Sequence, residues 1–104
     1  MRKHLAPMPL TGAQKTQLRG LGQKLDPSVK IGHAGLAGSV LSELARKLAS
    51  DELIKVRFVG FERDDRAKLN EEIARKTSSE LIGAVGHTAL FYKASPEGVI
   101  DLEA

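Results

Sequence analysis

Between positions 53 and 59 the chain reads Leu53-Ile54-Lys55-Val56-Arg57-Phe58-Val59, an alternation with the period of a strand and not of a helix. Ile54, Val56 and Phe58 fall on one face, Lys55 and Arg57 on the other. A strand of this kind buries its apolar side only against other elements, and the segments around it supply them.

Upstream, Thr11-Gly12-Ala13-Gln14 has the form of a capping box, in which Thr11 accepts from a first-turn amide and Gln14 reaches back. Leu18, Leu21 and Leu25 follow at helical spacing, with Lys15 and Arg19 displaced around the cylinder. Asp26-Pro27 stops this helix, because proline has no donor and disfavours helical geometry before it. Val29-Lys30-Ile31 predicts a short strand. A second helix starts at Ser39 and sets Val40 or Leu41, Leu44 and Leu48 on one stripe. Downstream, Asp64 or Asp65 caps a third helix with Leu69 and Ile73 turned inward. Strands over 81–85 and 88–93 close on Gly86-His87 as an antiparallel hairpin. The order α-β-α-β-α-β-β predicts an α/β fold, a single-domain two-layer α/β sandwich on a four-stranded mixed sheet. A chain of 104 residues holds one such domain. Its span is expected at 10–95, after a loose leader over 1–9 and before an acidic tail over 96–104.

Charge is unevenly placed. Residues 1–57 carry ten Lys/Arg against four acids, and residues 58–104 carry six against nine, so a net +3 conceals a basic half and an acidic half. Such asymmetry suits a surface facing a polyanion, or else a solvated face with an accidental excess. The absence of cysteine excludes a disulfide framework and thiolate metal sites. No apolar run approaches the roughly 18 residues of a membrane span. A cytoplasmic protein is the simplest expectation.

Within the basic half, Ile31-Gly32-His33-Ala34-Gly35 carries a strand end into a glycine loop just before the second helix. Glycines there let consecutive backbone amides face outward beside a helix N-terminus, an arrangement that attracts phosphate. The same glycines also suit a plain tight turn. Lys30 flanks the loop. Lys15 and Arg19 offer a rim to it, and Lys55 and Arg57 either face solvent or line a nucleic-acid path. His33 at the loop tip has the chemistry to bond a phosphate or stack on a base. Catalysis finds little footing. Ser39 and Ser42 lack a base and an orienting acid, and Glu71 and Glu72 diverge by about 100° on a helix. His4, His33 and His87 show no metal-ligand spacing. No enzyme, cofactor or metal is expected.

The chain resembles the CRM domain, the chloroplast RNA splicing and ribosome maturation module, in its small stand-alone bacterial YhbY-type form. The likeness spans residues 10–95. It rests on Leu10-Thr11 with Lys15, Leu18, Arg19 and Leu21, on residues 29–41, on Asp51-Glu52-Leu53-Ile54-Lys55-Val56-Arg57, and on Gly86-His87-Thr88-Ala89-Leu90-Phe91-Tyr92-Lys93. The resemblance implies a fold similar to the C-terminal domain of translation initiation factor three, and a KH-like RNA-binding loop at Gly32-His33-Ala34-Gly35. It also implies ribosomal RNA in precursors of the large subunit as partner. Ala34, where relatives often carry Asn, and Ala37-Gly38-Ser39, where they often carry Thr-Glu-Gly, strip side-chain donors and leave the backbone to do the binding. The expected molecule is a monomer that contacts RNA through Lys15, Arg19, Lys30, Gly32, His33, Ala34, Gly35, Lys55 and Arg57. A different reading makes the same basic face an adaptor for an acidic ribosomal or GTPase partner, without RNA contact.

Overall fold

A computed structural model describes residues 10–102. The expected leader over 1–9, with His4, lies outside the described residues. Seven elements follow in the expected order: α1 (Gly12–Gln23), β1 (Val29–Ile31), α2 (Gly38–Asp51), β2 (Leu53–Phe58), α3 (Arg63–Thr77), β3 (Glu80–Val85) and β4 (Thr88–Tyr92). The strands lie side by side as β1-β2-β4-β3, with β1 parallel to β2 and the other pairs antiparallel. The sheet is therefore mixed and four-stranded.

Alternation decides what each face does. Ile54, Val56 and Phe58 of β2 join Val29, Ile31, Ala89 and Phe91 under Leu44 and Leu48 of α2 and Ile73 of α3, forming the larger core. This is the two-layer sandwich. The other face is partly covered by α1, where Leu10 and Leu18 meet Leu53, Ile82 and Tyr92 in a smaller cluster.

The α1 capping box forms as expected: the Gln14 amide donates to Thr11 Oγ1 at 3.1 Å, and Gln14 Oε1 accepts the Thr11 amide at 2.9 Å. The buried stripe is not the expected one. Gln14, Leu18 and Gly22 face the sheet, while Leu21 and Leu25 stay 40% and 36% exposed. Gly22 is the reason, because a Cβ there would stand 2.3 Å from Leu90 Cδ1. A bare backbone lets the helix lie closer to β4 than a leucine would. Gly22→Ala should therefore destabilise the fold by about 1 kcal/mol, since overpacking costs about 1–3 kcal/mol and exceeds the helix-propensity gain of about 0.5–1 kcal/mol. In a Leu90→Ala background the same change should become stabilising, which thermal melts of the double-mutant cycle would read.

Two boundaries also differ. The third helix starts at Arg63 with Glu62 as N-cap, so Asp64 and Asp65 occupy its first turn and favour the helix dipole from there. Beyond Ser95 the expected tail is tied down over the described residues. Ile100 and Leu102 pack on the smaller cluster, and Gln17 Nε2 donates to the Asp101 carbonyl at 2.9 Å.

The fastening point is Glu52, 1% exposed at the end of α2. It holds φ +68° with ψ −40°, a positive-φ conformation outside the left-handed helical region and unusual for a residue with a Cβ. Its carboxylate accepts the Ser95 amide at 2.7 Å, the Ser95 hydroxyl at 2.6 Å and the Ile100 amide at 2.7 Å. Burial pushes this carboxyl up, but the Ser95 hydroxyl and the Ile100, Ser95 and Val99 amides outweigh it and hold it below its ordinary value. Tyr92 is shifted upward, by burial first and by the Glu52 charge second.

Candidate nucleic-acid interface

The glycine loop leaves β1 at one end of the sheet. The Val59 amide donates to the Ile31 carbonyl at 2.9 Å, and the Phe58 amide donates to the His87 carbonyl at 2.8 Å. These bonds bring the Gly32–Gly35 turn, the β2–α3 connection and the β3–β4 turn to the same end.

Within the loop, the Gly35 amide donates to the Gly32 carbonyl at 2.9 Å and closes a tight turn. Gly35 sits at φ +64°, which explains glycine at that position. This amide therefore turns inward, against the expectation of consecutive outward amides across the whole motif. His33 and Ala34, at the tip, are exposed, and among the described residues their amides have no protein partner. Leu36 packs on the main core and fixes the loop's exit.

The α2 N-terminus follows three residues later. Its N-cap is Ala37, which makes no side-chain capping bond, and no acid lies in its first turn. A helix start leaves its first amides unsatisfied, and Ser, Thr, Asp or Asn normally answers them. Here none does. The turn tip and the open helix end together offer a positive backbone surface that a phosphate oxygen suits.

Register places three cations on the face of the sheet away from α2, the nearest in sequence, Lys30, two residues before the loop. Lys30 pairs across the ladder with Arg57, and Lys55 lies two residues back on β2. All three project from the sheet face opposite the main core, at spacings of about 5 to 7 Å along and across the strands. Lys30 and Arg57 are exposed and Lys55 is half-buried. Among the described residues none of the three is in an ion pair. Lys55 lines a groove of about 280 Å³ between α1 and the sheet, together with Arg19, Gly22, Val85 and Leu90.

Lys15 is not brought to this rim, and Arg19 shares only the groove beside Lys55. Lys15 pairs with Glu80 at 3.2 Å, at the start of β3 and so at the opposite end of the sheet from the glycine loop. Arg19 Nη1 donates to the Ile82 carbonyl at 3.1 Å, where β3 bulges between Leu81 and Gly83. Its guanidinium answers a carbonyl that the irregular ladder leaves over. Sequence spacing on α1 could not show which cations the sheet would claim.

Two arginines that the sequence reading passed over do lie at the loop's end of the sheet. Arg66 Nη1 donates to the Phe61 carbonyl at 2.7 Å and stands 3.4 Å from His87 Nδ1. With Arg63 it lines a cleft between α3 and the hairpin. Their signal was present as an i, i+3 pair of arginines beside a glycine turn. Among the described residues no group of three His, Cys, Asp or Glu side chains could hold a metal ion, and no helix is long and apolar enough to cross a membrane.

Comparison with known proteins gives one answer. The profile of the CRS1 / YhbY (CRM) domain matches residues 10–93. A protein of Pseudomonas aeruginosa named "Probable RNA-binding protein" is 40% identical over 90 residues, covering 86% of each chain. A protein of Haemophilus influenzae named "RNA-binding protein" is 36% identical over 93 residues, covering 89% of this chain and 94% of its own. Among solved structures, a Staphylococcus aureus protein determined in solution superposes with a TM-score of 0.74 at 35% identity, over 83% of this chain and 90% of that one.

Proposed function

Because this chain belongs to the CRS1 / YhbY (CRM) domain family, we propose that it is a non-catalytic RNA-binding protein that assists assembly of the large ribosomal subunit. The names of its relatives support RNA as the ligand class. The observation that carries the reading here is that exposed turn amides and an uncapped, acid-free helix start stand at the end of the sheet where β1 and β2 finish, while Lys30, Arg57 and, further back, Lys55 line the sheet face away from α2 without ion-pair partners among the described residues.

In this reading the turn tip and the α2 amides hold one or two backbone phosphates, and the three cations track the neighbouring ones. The charged term is sequence-independent and salt-sensitive, since each neutralised phosphate releases counterions. Aromatic side chains are few, and Phe58, Phe91 and Tyr92 are buried, so recognition runs on backbone shape more than on base stacking. Precursor ribosomal RNA is the substrate, and the protein works in the cytoplasm as a monomer.

The loop is tested by Ala34→Asp. Ala34 is exposed and outside the left-handed region, so aspartate puts a negative charge at the turn tip without disturbing the backbone. Filter binding to a large-subunit ribosomal RNA transcript should show at least a tenfold loss, while Ala34→Asn stays within about twofold of the parent. Equal binding by the two variants would refute a phosphate at this tip. A complex that forms equally well on nuclease-treated ribosomal proteins would point to a protein partner instead.

A further inference from the structure

A cleft of about 460 Å³ opens between α3 and the β3–β4 turn, within the size range of small-molecule and nucleotide sites. One stripe of α3 forms its wall, with Arg63, Arg66, Ala67 and Asn70 at i, i+3, i+4 and i+7. Asp64 and Asp65 fall off that stripe, so the acids of the helix start do not neutralise it. Arg63 has no partner among the described residues. Arg66 is pinned by its bond to the Phe61 carbonyl, which fixes the direction of its guanidinium and leaves further donors on the fork. Gly86 and Ala84 supply the facing wall, without long side chains to fill the space.

Asn70 is the unusual member. It is 5% exposed, and its Oδ1 is buried without a hydrogen-bond partner among the described residues. A buried acceptor left unmade forfeits the hydration it had in the unfolded chain, and the fold gains nothing visible in return. An amide presents an acceptor and two donors in one plane, the pattern that reads the edge of a nucleobase. The cleft thus joins one anchored and one free arginine to an unspent amide.

We propose that this cleft takes one ribonucleotide unit, its phosphate on Arg63 and Arg66 and its base edge on Asn70. The inference rests on the RNA-binding reading, because the cleft lies at the same end of the sheet as the glycine loop. The two are separated by about two strand spacings, roughly 10 Å. An unstacked nucleotide of a strand held at the loop reaches it, and a free mononucleotide has the same chemistry.

Asn70→Leu keeps the side chain's size, removes the unmade acceptor and leaves the loop and the sheet cations untouched. It should leave the melting temperature unchanged or higher, and weaken binding to the large-subunit ribosomal RNA transcript about fivefold or more. In ¹⁵N spectra of the parent protein, the four 5′-mononucleotides should shift the Asn70 side-chain amide and the Arg66 Nε–H saturably, and inorganic phosphate should shift Arg66 alone. Parental RNA affinity in Asn70→Leu, with Ala34→Asp still impaired, would overturn the cleft and spare the RNA reading. Phosphate reproducing the full nucleotide response would overturn the base site. Should neither variant change RNA affinity, the phosphate seat at the loop tip falls as well. Nucleotide shifts in the spectra would then identify a free mononucleotide as the occupant, and their absence would overturn the cleft outright.

Discussion

Reversing Lys30, Lys55 and Arg57 together to glutamate should reduce affinity for structured ribosomal RNA by about a hundredfold or more in moderate salt, without unfolding the protein. Their side chains leave the sheet on the face away from the main core, and none is in an ion pair among the described residues. The fold does not depend on their charge. Each neutralised phosphate contributes about 0.7 to 0.9 to the slope of log affinity against log salt, so losing three contacts should flatten that slope by about two to three. Lys15→Glu is the informative control. Lys15 is tied to Glu80 at the far end of the sheet, so its reversal should disturb that pair and barely change RNA affinity. Titration of all three proteins at two salt concentrations separates the cases. A triple variant with the parental salt slope would remove the sheet face from the interface.

Glu52→Gln should be the most damaging single conservative change to stability. The carboxylate takes three donors inside the protein, and glutamine puts an NH₂ where one of those donors points. Hydrogen bonds to a charged group are worth about 1.5–3 kcal/mol each, so a loss of about 3 kcal/mol is expected. For a domain of this size that lowers the melting temperature by roughly 15 °C. Hydrogen exchange should show the Ser95 and Ile100 amides losing protection before the β2 and β4 amides do. The pH dependence has a definite sign. Glu52 is held below its ordinary value of 4.5 in the folded state, so the unfolded chain binds this proton more readily. The stability it contributes is whole above the unfolded value and drains away as pH falls through the lower folded one. Melts followed downward from neutral pH should therefore converge for parent and variant in acid. A constant gap between the two would show that Glu52 is not ionised in the native protein.

How far these features can be read from residues alone depends on whether their cause is local. The β2 alternation, the Thr11–Gln14 capping box and the Gly86 turn each follow from short-range rules, and each stands where those rules put it. The Lys30–Arg57 adjacency needed only the parallel pairing of β1 with β2 in addition. The side of α1 that faces the sheet was not local. It was decided by Leu90, 68 positions beyond Gly22. Nothing local marks Glu52 for burial beside Asp51, and only the return of the chain past Ser95 buries it. Lys15 was assigned by charge to the RNA rim, but Glu80 pairs with it at the far end of the sheet, while Arg19 lines the groove beside Lys55 with one guanidinium nitrogen on the Ile82 carbonyl. Asn70 carries no signature beyond its helical spacing from Arg63 and Arg66.

The two margins of the sheet have a consequence for how copies behave when crowded along one polyanion. β1 is a three-residue margin bearing exposed Lys30, and β3 is broken by its bulge at Gly83. Short, charged or kinked margins deny a neighbouring chain the straight ladder it would need to zip on. Many copies can therefore be held at high local concentration without welding into a common sheet.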